Sequence, residues 1–402
     1  MPPGDSLARF MELRSPTDRV FHGLVRRAGG PSPLRAGERA TVLFDTGRAA
    51  WSLLIDDRHM AVVQGRTGRS DAEIRADAET LAALVEGEIS GVHAFLDGRL
   101  AIRGSIALAL KLEADDPALP RPVEFARPRW VQAAGLDTFY LEAGRGPAVV
   151  LLHGLGATNA SMLPTLAALA RDHRVLAPDL PGFGESAKPV LAYDPAFFAR
   201  WLAGFLDVLG IERAVLIGNS MGGRVALELG LVAPERVERL VLFTPSLAFK
   251  RFRAATPLVR LLAAELAAMP LFVPRALVST VLRMMFARPE RLRIEWYDAA
   301  VDEFLRVFAG ARGRMAFFSA ARQIYLEEAH GEAGFWERLP ALRCPALFLW
   351  GDSDQLVPPR FAPHVEAALP RARSIVLEDC GHVPQFEHPE RTHALMRDFL
   401  RP

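Results

Sequence analysis

The chain has 402 residues and a formal net charge of +1, with half of its residues hydrophobic and 24% charged. This balance is typical of a globular protein, and it lacks the basic excess that would favour nucleic acid or an anionic membrane surface as a partner. At this length two domains, or one domain with large insertions, are expected.

The N-terminal sequence and the cysteines indicate a compartment. The stretch MPPGDSLARFMELRSPTDRV carries charges where a signal peptide needs an apolar segment. No apolar run approaches the roughly 20 residues of a membrane span. The two cysteines, Cys344 and Cys380, lack metal-ligand spacing and are expected to be buried free thiols. We therefore predict a cytoplasmic protein with no stable membrane insertion.

The first block alternates strand-like runs with polar turns. AAWSLLIDD and RHMAVVQG predict a hairpin across Asp56 and Asp57. DAETLAALVEGE has apolar residues at helical spacing, with Asp77 as the N-cap and Gly87 as the stop. The next segment, DGRLAIRGSIALALKL, predicts one long strand kinked at Gly104.

A proline-rich and charged segment, EADDPALPRPVEFARPRW, separates the two blocks. Proline stiffens the chain and is disfavoured in helix interiors and strand ladders, so this composition indicates a linker. We place the linker at 116–129, between a first domain at 1–115 and a second domain at 130–402.

The second block alternates short apolar runs with amphipathic stretches of helical length. The runs are AVVLLHG, HRVLAPDLPG, AVLIGNS, RLVLFTP, ALFLWGD and SIVLED. Continuous apolar runs are typical of strands buried on both faces of a parallel sheet. Residues from about 245 to 335 show only helical periodicity. The predicted fold class is therefore α/β, a doubly wound domain with a helical cap.

The segment IGNSMGG lies between a buried strand and an amphipathic helix, and it contains the pattern G-x-S-x-G. A nucleophilic serine needs a sharp strand-to-helix turn that exposes its hydroxyl, and flanking glycines leave room for that turn. The pattern makes Ser220 a candidate nucleophile. Its alternative interpretation is an ordinary N-cap serine.

Catalysis by a serine also needs a base and an orienting carboxylate. Along the chain, the expected order is the serine, then the carboxylate, then the histidine. WGDSDQLVPP supplies Asp352 and Asp354 after one strand, and DCGHVPQFEHPE supplies His382 after the last. Both segments lie where strand ends open onto loops, the usual ligand-binding edge of an α/β sheet.

Five segments in this order make residues 130–402 resemble the α/β-hydrolase superfamily: LLHGLG, DLPGFGES, GNSMGG, WGDSDQLVP and CGHVPQFEHPE. The resemblance implies a serine nucleophile at Ser220 and a base at His382. It also implies that the orienting acid is Asp354, the later carboxylate of the W-G-x-x-D pattern, rather than Asp352. No metal or organic cofactor is implied.

The same resemblance implies an oxyanion hole made of two backbone amides, those of Leu155 and Met221. Backbone N–H groups aimed at developing negative charge need no particular side chain. A bland alternative is that the HGLG segment is only a tight glycine turn. His153 in this segment is expected to shape the loop rather than transfer protons.

The type of reaction is less specific. The family also contains dehalogenases and epoxide hydrolases, which have an aspartate nucleophile at the position of Ser220. The serine in this sequence argues against both of these reactions. The GNSMGG segment resembles that of hydrolases that cleave carbon–carbon bonds in ring-cleavage products, but those carry a longer glycine-rich loop and an aromatic residue where Val383 follows His382. We predict a carboxylic-ester hydrolase, with carbon–carbon and thioester hydrolysis as alternatives.

The cap is rich in soft and aromatic side chains, which adapt to irregular apolar ligands. Most are expected to form the cap's own core and a minority to face a pocket, which favours a hydrophobic or lipid-like ester as substrate. These residues are Met269, Phe272, Met284, Met285, Phe286, Phe304, Phe308, Met315, Phe317 and Phe318.

Residues 15–115 resemble the sterol carrier protein type 2 domain, through AAWSLLIDD and ADAETLAALVEGEISGVHAFLDGRLAIRGSIALALKL. The resemblance implies a small α+β domain with an apolar tunnel that binds lipids or acyl groups. Its alternative is a packing module whose apolar residues only make a core. At the level of the whole chain, the rival to an esterase is a lipid carrier with an ancillary hydrolase domain.

Overall fold

The structure is a computed structural model, and the chain divides into two compact units, Met1–Pro128 and Arg129–Pro402. Most of the predicted linker lies outside the described residues, and a strand begins at Arg127, just before its predicted end. The described residues are 15–114, 125–248, 269, 272–331 and 334–401.

In its described residues, the first unit contains a five-stranded sheet and four helices. The sheet order is β3-β2-β1-β4-β5, with β1 and β4 parallel and the other neighbours antiparallel. The elements are α1 (Pro16–Ala28), β1 (Arg39–Asp45), β2 (Ala50–Asp56), β3 (Met60–Gln64), β4 (Ala72–Arg75), α2 (Ala78–Val85), α3 (Gly91–Leu96), β5 (Ala101–Gly104) and α4 (Ile106–Ala114).

Two local predictions for this unit are confirmed. Strands β2 and β3 form the expected antiparallel hairpin, in which Ile55 pairs with Met60. Helix α2 begins after Asp77, whose carboxylate accepts a hydrogen bond from Thr80 N at 2.8 Å. It ends before Gly87, which has a φ of 73°, a backbone conformation that glycine adopts without a side-chain clash.

The long strand predicted through Gly104 is wrong in its second half. The strand stops at Gly104, whose φ is 79°, and a helix begins two residues later. Ser105 caps this helix, because its Oγ accepts a hydrogen bond from Leu108 N at 3.1 Å. The helix is buried from Ile106 to Leu112, so its sequence lacks the polar face that would have distinguished it from a strand.

The second unit contains an eight-stranded sheet in the order β13-β12-β11-β10-β8-β9-β7-β6. Strands β8 to β13 pair in parallel, whereas β7 and β9 are antiparallel. The strands are β6 (Arg127–Ala133), β7 (Leu136–Ala143), β8 (Ala148–Leu152), β9 (Arg174–Pro178), β10 (Ala214–Asn219), β11 (Val237–Phe243), β12 (Ala346–Gly351) and β13 (Arg373–Leu377).

The six predicted apolar runs are β8 to β13. All residues of β10 and β12 are buried, as expected for strands covered on both faces. In the ranges that the structure describes, the helices of this unit are α5 (Leu163–Leu169), α6 (Pro195–Val208), α7 (Met221–Val232), α8 (Arg275–Arg283), α9 (Ile294–Ala309), α10 (Ala311–Leu326), α11 (Phe335–Arg338), α12 (Ala362–Ala368), α13 (Pro384–Glu387) and α14 (Pro389–Leu400).

Parallel pairing places three candidate residues at one edge of the sheet. Ser220 directly follows β10, Asp354 follows β12, and His382 follows β13. Because these strands run in the same direction, their carboxyl ends meet at the same edge.

The described part of the predicted cap is helical and consists of α8, α9 and α10. Residues 249–268, 270–271 and 332–333 of the predicted cap lie outside the described residues. Within the described part of the chain, no helix has the length and apolar character needed to cross a bilayer.

A buried ion cluster connects the far end of the cap to the helix that follows Ser220. Arg224 on α7 is 3% exposed and pairs with Glu228 at 2.8 Å and with Glu327 after α10. Arg338 on α11 also binds Glu228, with both contacts shorter than 3 Å. Paired charges tolerate such burial because each guanidinium has carboxylate partners.

Candidate active site

Ser220 occupies a strained turn between β10 and α7. Its φ of 52° and ψ of −114° lie outside the backbone regions that residues with a side chain normally adopt. The flanking glycines allow it. A Cβ atom on Gly222 would lie 2.1 Å from Leu152 O, and one on Gly218 would lie 2.4 Å from the Gly222 backbone. The close approach of helix and strand that the sequence predicted is therefore present.

We expect Gly222→Ala to destabilise the protein by at least about 2 kcal/mol, because the new methyl group would overlap the backbone of β8. Chemical denaturation of the purified variant would measure this loss. Gly310→Ala is the matched control, since a Cβ atom there meets nothing within 4 Å. A Gly222→Ala variant as stable as this control would contradict the packing argument.

His382 and Asp354 are in direct contact, with 2.7 Å between His382 Nδ1 and Asp354 Oδ2. Both residues are buried, at 2% and 4% exposure. The other carboxylate oxygen of Asp354 accepts hydrogen bonds from Leu356 N at 2.8 Å and Val357 N at 2.9 Å. These amides fix the carboxylate, so that one oxygen is directed at the imidazole.

Asp352, the competing carboxylate, holds the backbone before the histidine instead. It accepts hydrogen bonds from Asp379 N at 3.0 Å, Cys380 N at 3.1 Å and Ser353 Oγ at 2.8 Å. Burial alone would raise the pKa of Asp352, but these donors hold that pKa below its ordinary value. The ionised Asp352 therefore stabilises the backbone of the loop that leads to His382.

Two residues that the sequence analysis missed connect the serine turn to the histidine loop. Asn219 Nδ2 donates to His382 O at 3.1 Å, and Thr244 Oγ1 donates to the same oxygen at 2.9 Å. Asn219 directly precedes Ser220, so the backbone of His382 is held beside the turn. Among the described residues, neither Ser220 Oγ nor His382 Nε2 has a hydrogen-bond partner.

The amides of Leu155 and Met221 are the two predicted oxyanion donors. Within the described residues neither N–H donates a hydrogen bond to another part of the protein. The loop that carries Leu155 lies against the serine, because a Cβ atom on Gly154 would be 3.4 Å from Ser220 Cβ. Met221 is the first residue of α7, and free amides at a helix N-terminus favour negative charge.

His153 shapes this loop, as the sequence predicted. Its Nδ1 donates to Gly154 O at 2.8 Å, and its Nε2 accepts from Leu180 N at 2.9 Å. An imidazole that donates through one nitrogen and accepts through the other is neutral. Burial lowers the pKa of His153 to about 4, which preserves this state.

Asp179 connects the same loop to the segment PGFGES. Its two oxygens accept hydrogen bonds from Asn159 N and Glu185 N, each at 2.8 Å. Burial raises the pKa of Asp179 to about 7, even though both amides favour the carboxylate. Asp179 is the first residue of the DLPGFGES segment, but the sequence assigned it no role, because its contacts lie in two separate loops.

An aromatic cluster of the cap lies against the oxyanion loop. Phe304, Phe308, Phe317 and Phe318 pack on one another with ring centroids 5.2 to 6.0 Å apart. A Cβ atom on Gly156 would lie 2.9 Å from the ring of Phe317 and 3.1 Å from that of Phe304. These two rings therefore lie against Gly156, the residue that follows Leu155.

Three of the ten cap residues expected in a core or a pocket are instead exposed: Met269, Phe272 and Met284, at 63%, 91% and 55%. The two cysteines are free, as expected, although only Cys380 is fully buried and Cys344 is half-buried. No three His, Cys, Asp or Glu side chains in the described ranges are grouped to hold a metal ion.

Comparison with known families decides the classification of the second unit. Residues 147–389 match the family model of the alpha/beta hydrolase fold. The chain belongs to the alpha/beta hydrolase fold family. In the first unit, residues 34–115 match the model of the SCP-2 sterol transfer family. Both resemblances seen in the sequence are thereby confirmed.

Relatives of this alpha/beta hydrolase act on different substrates. The chain is 32% identical to 2-hydroxymuconate semialdehyde hydrolase of Pseudomonas sp. (strain CF600), over 68% of this chain and 93% of that protein. A membrane phospholipase A described as a bacterial virulence factor has a TM-score of 0.57 and 28% identity, over 69% of this chain and 86% of that one.

A meta-cleavage product hydrolase has a TM-score of 0.55 and 26% identity, over 67% of this chain and 97% of that one. Fold and relatives together indicate a hydrolase. They leave open which bond is cleaved, because one fold supports many substrates.

Proposed function

We propose that this protein is a serine hydrolase that cleaves carboxylic esters of hydrophobic or lipid-like acyl groups. The observation that carries the proposal is the 2.7 Å contact between His382 Nδ1 and Asp354 Oδ2, at the sheet edge that also presents Ser220 in a strained turn. A nucleophile, a base and an orienting acid in these positions fit acyl transfer through a covalent intermediate.

In the first half of the proposed reaction, Ser220 Oγ attacks the ester carbonyl carbon while His382 Nε2 takes its proton. Asp354 keeps the imidazole proton on Nδ1, so that Nε2 is the free base. The amides of Leu155 and Met221 stabilise the negative oxygen of the tetrahedral intermediate. The intermediate collapses, and the alcohol leaves with the proton from His382.

In the second half, water replaces the alcohol. His382 removes a proton from the water as its oxygen attacks the acyl carbon bound to Ser220. Collapse of the second tetrahedral intermediate releases the carboxylic acid and returns the proton to Ser220. Each atom and proton is accounted for without a cofactor in the scheme.

The substrate class follows from the surface that faces the loop of Leu155. Phe304 and Phe317 bring two aromatic rings to Gly156, and apolar walls favour apolar acyl or alcohol groups. The relative named as a phospholipase A supports an ester of a lipid. The SCP-2 family match of the first unit supports the same class of ligand.

Hydrolysis of p-nitrophenyl esters from acetate to palmitate by the full chain tests this proposal. We expect activity that peaks at medium or long acyl chains. A peak at acetate would retain the serine hydrolase and contradict the lipid-like substrate. No hydrolysis of any ester in the series would contradict ester cleavage altogether.

A carbon–carbon bond hydrolase is the second candidate, and it is favoured by one observation. The 32% identity to 2-hydroxymuconate semialdehyde hydrolase covers nearly all of that relative. Spectrophotometric assay of the same preparation with 2-hydroxymuconate semialdehyde distinguishes the two candidates. A kcat/KM for that compound well above the value for every p-nitrophenyl ester would favour this second candidate.

The first unit is proposed to capture an acyl lipid for the second, through a tether in the proline-rich segment at 116–129. Tethering raises the local concentration of a bound ligand without new contacts. Deleting residues 1–120 should therefore raise KM for long-chain esters by roughly tenfold or more and leave short-chain esters unchanged. Steady-state kinetics with butyrate and palmitate esters would measure the difference. Equal changes for both would contradict the capture role.

A further inference from the structure

A short segment of the cap, Met285–Arg288, forms hydrogen bonds and an ion pair with the loop that carries His382. We call this segment the cap turn. Met285 O accepts a hydrogen bond from His382 N at 2.6 Å. Arg288 Nε lies 2.7 Å from Asp379 Oδ1. The two backbones touch, because a Cβ atom on Gly381 would be 2.4 Å from Met285 O.

Glu387 joins the two segments with a single carboxylate. Its Oε2 accepts a hydrogen bond from Ala287 N in the cap turn at 2.7 Å. Its Oε1 accepts from Gly381 N at 2.9 Å and from Val383 N at 3.4 Å. The residues on either side of His382 are therefore held by the side chain that also holds the cap turn.

The three consecutive amides from Gly381 to Val383 thus depend on the cap turn or on Glu387. The middle amide, that of His382, uses Met285 O as its acceptor. Burial raises the pKa of Glu387, although the amides of Ala287, Gly381 and Val383 favour its charged form. A poorly solvated carboxylate forms stronger hydrogen bonds to amides than an exposed one, since water competes less.

We propose that Glu387 is a positioning residue that ties the alignment of His382 to the place of the cap turn. Movement of the cap turn away from the loop removes Met285 O and Ala287 N together. The histidine backbone then loses one acceptor directly, and Glu387 loses the donor that orients it. The imidazole of His382 is therefore aligned only while the cap turn contacts the loop that carries it. This inference rests on the proposed role of His382 in catalysis.

The first test is Glu387→Gln in the full chain. The amide side chain can still accept from the loop, but its NH₂ group then faces the N–H of Ala287 and cannot replace the lost acceptor. We expect kcat for p-nitrophenyl butyrate to fall by about 10- to 100-fold, with KM changed less than about threefold. Glu390→Gln, at an exposed position on α14, is the matched control and should leave both constants unchanged.

The second variant approaches the contact from the cap. Ala287→Pro removes the N–H donor and places a ring carbon where the hydrogen faced Glu387 Oε2, so it breaks the contact from the cap side. If the two residues act through one contact, the double variant loses no more kcat than the worse single variant. Multiplicative losses in the double variant would overturn the coupling, as would a Glu387→Gln enzyme with wild-type kcat. Melting temperatures would show whether a loss of kcat in either single variant reflects unfolding. If one single variant is unfolded, the kcat of the other tests the positioning role.

Labelling of Ser220 by a small fluorophosphonate separates this inference from the proposed function. We expect the labelling rate of Glu387→Gln to fall in parallel with kcat, because the base is needed for both reactions. A Ser220→Ala protein that still hydrolyses esters would overturn the catalytic assignment itself. An inactive Ser220→Ala protein beside an unaffected Glu387→Gln protein would overturn only the positioning role.

Discussion

Ser220→Ala is expected to lower kcat for p-nitrophenyl esters by at least about 10⁴-fold. The hydroxyl is the proposed attacking group, and a methyl side chain cannot form the acyl-enzyme. The strained backbone of residue 220 and the amides of Leu155 and Met221 remain in place, so substrate binding should change little. Steady-state kinetics would measure the loss of turnover. Mass spectrometry of fluorophosphonate-treated protein would measure the loss of the covalent adduct.

Ser279→Ala, on the cap helix α8, is the control for this first experiment. It should retain wild-type turnover and the adduct on Ser220. Substantial ester hydrolysis by the Ser220→Ala protein would mean that the elbow serine is only an N-cap and that another group performs the chemistry.

Asp354→Asn is expected to lower kcat by roughly 10³- to 10⁴-fold with little change in KM. The asparagine oxygen can accept from Leu356 N and Val357 N, as Asp354 Oδ1 does. Its NH₂ group then faces His382 Nδ1 and forces the imidazole proton onto Nε2. In the proposed mechanism Nε2 accepts the serine proton, so this tautomer would block the reaction. Kinetics at a pH where the wild type is fully active would measure the loss.

Asp352→Asn provides an internal comparison only two residues away. Asp352 contacts backbone amides of the loop rather than the imidazole, so we expect a loss of less than about tenfold, accompanied by a lower melting temperature. The reverse ranking, with Asp352→Asn the more damaged enzyme, would overturn the assignment of the orienting acid.

The relatives explain why these substitutions do not by themselves decide the bond that is cleaved. The same fold contains a named phospholipase A and a named meta-cleavage product hydrolase, and a fold alone does not fix the bond that is cleaved. We expect the choice between ester and carbon–carbon substrates to depend on the surface where Phe304 and Phe317 meet Gly156.

Helix α4 shows where local pattern fails. The run IALALKL alternates enough to predict a strand, yet Gly104 and the Ser105 cap begin a helix there. A helix buried almost all round has no polar face, so its sequence cannot be told from that of a buried strand by periodicity. Packing within the first unit decides between them.

The exposed cap residues make a similar point. Composition predicted that Phe272 and Met284 belong to a core or a pocket, yet they are 91% and 55% exposed. Phe272 and Met284 lie just outside the two ends of α8. Apolar residues are often exposed on folded proteins, so composition alone does not reveal which of them are buried.

The sequence by itself determined the two families, the alternation of buried strands with helices, and the order of Ser220, Asp354 and His382 along the chain. These features depend on residue types at short, regular spacing, which local backbone geometry imposes. Tertiary structure alone decided that Asn219 and Thr244 hold the backbone of His382, and that Glu387 reaches Ala287, one hundred positions earlier. Contacts of this kind depend on how distant loops converge at one sheet edge, and no spacing in the chain encodes them.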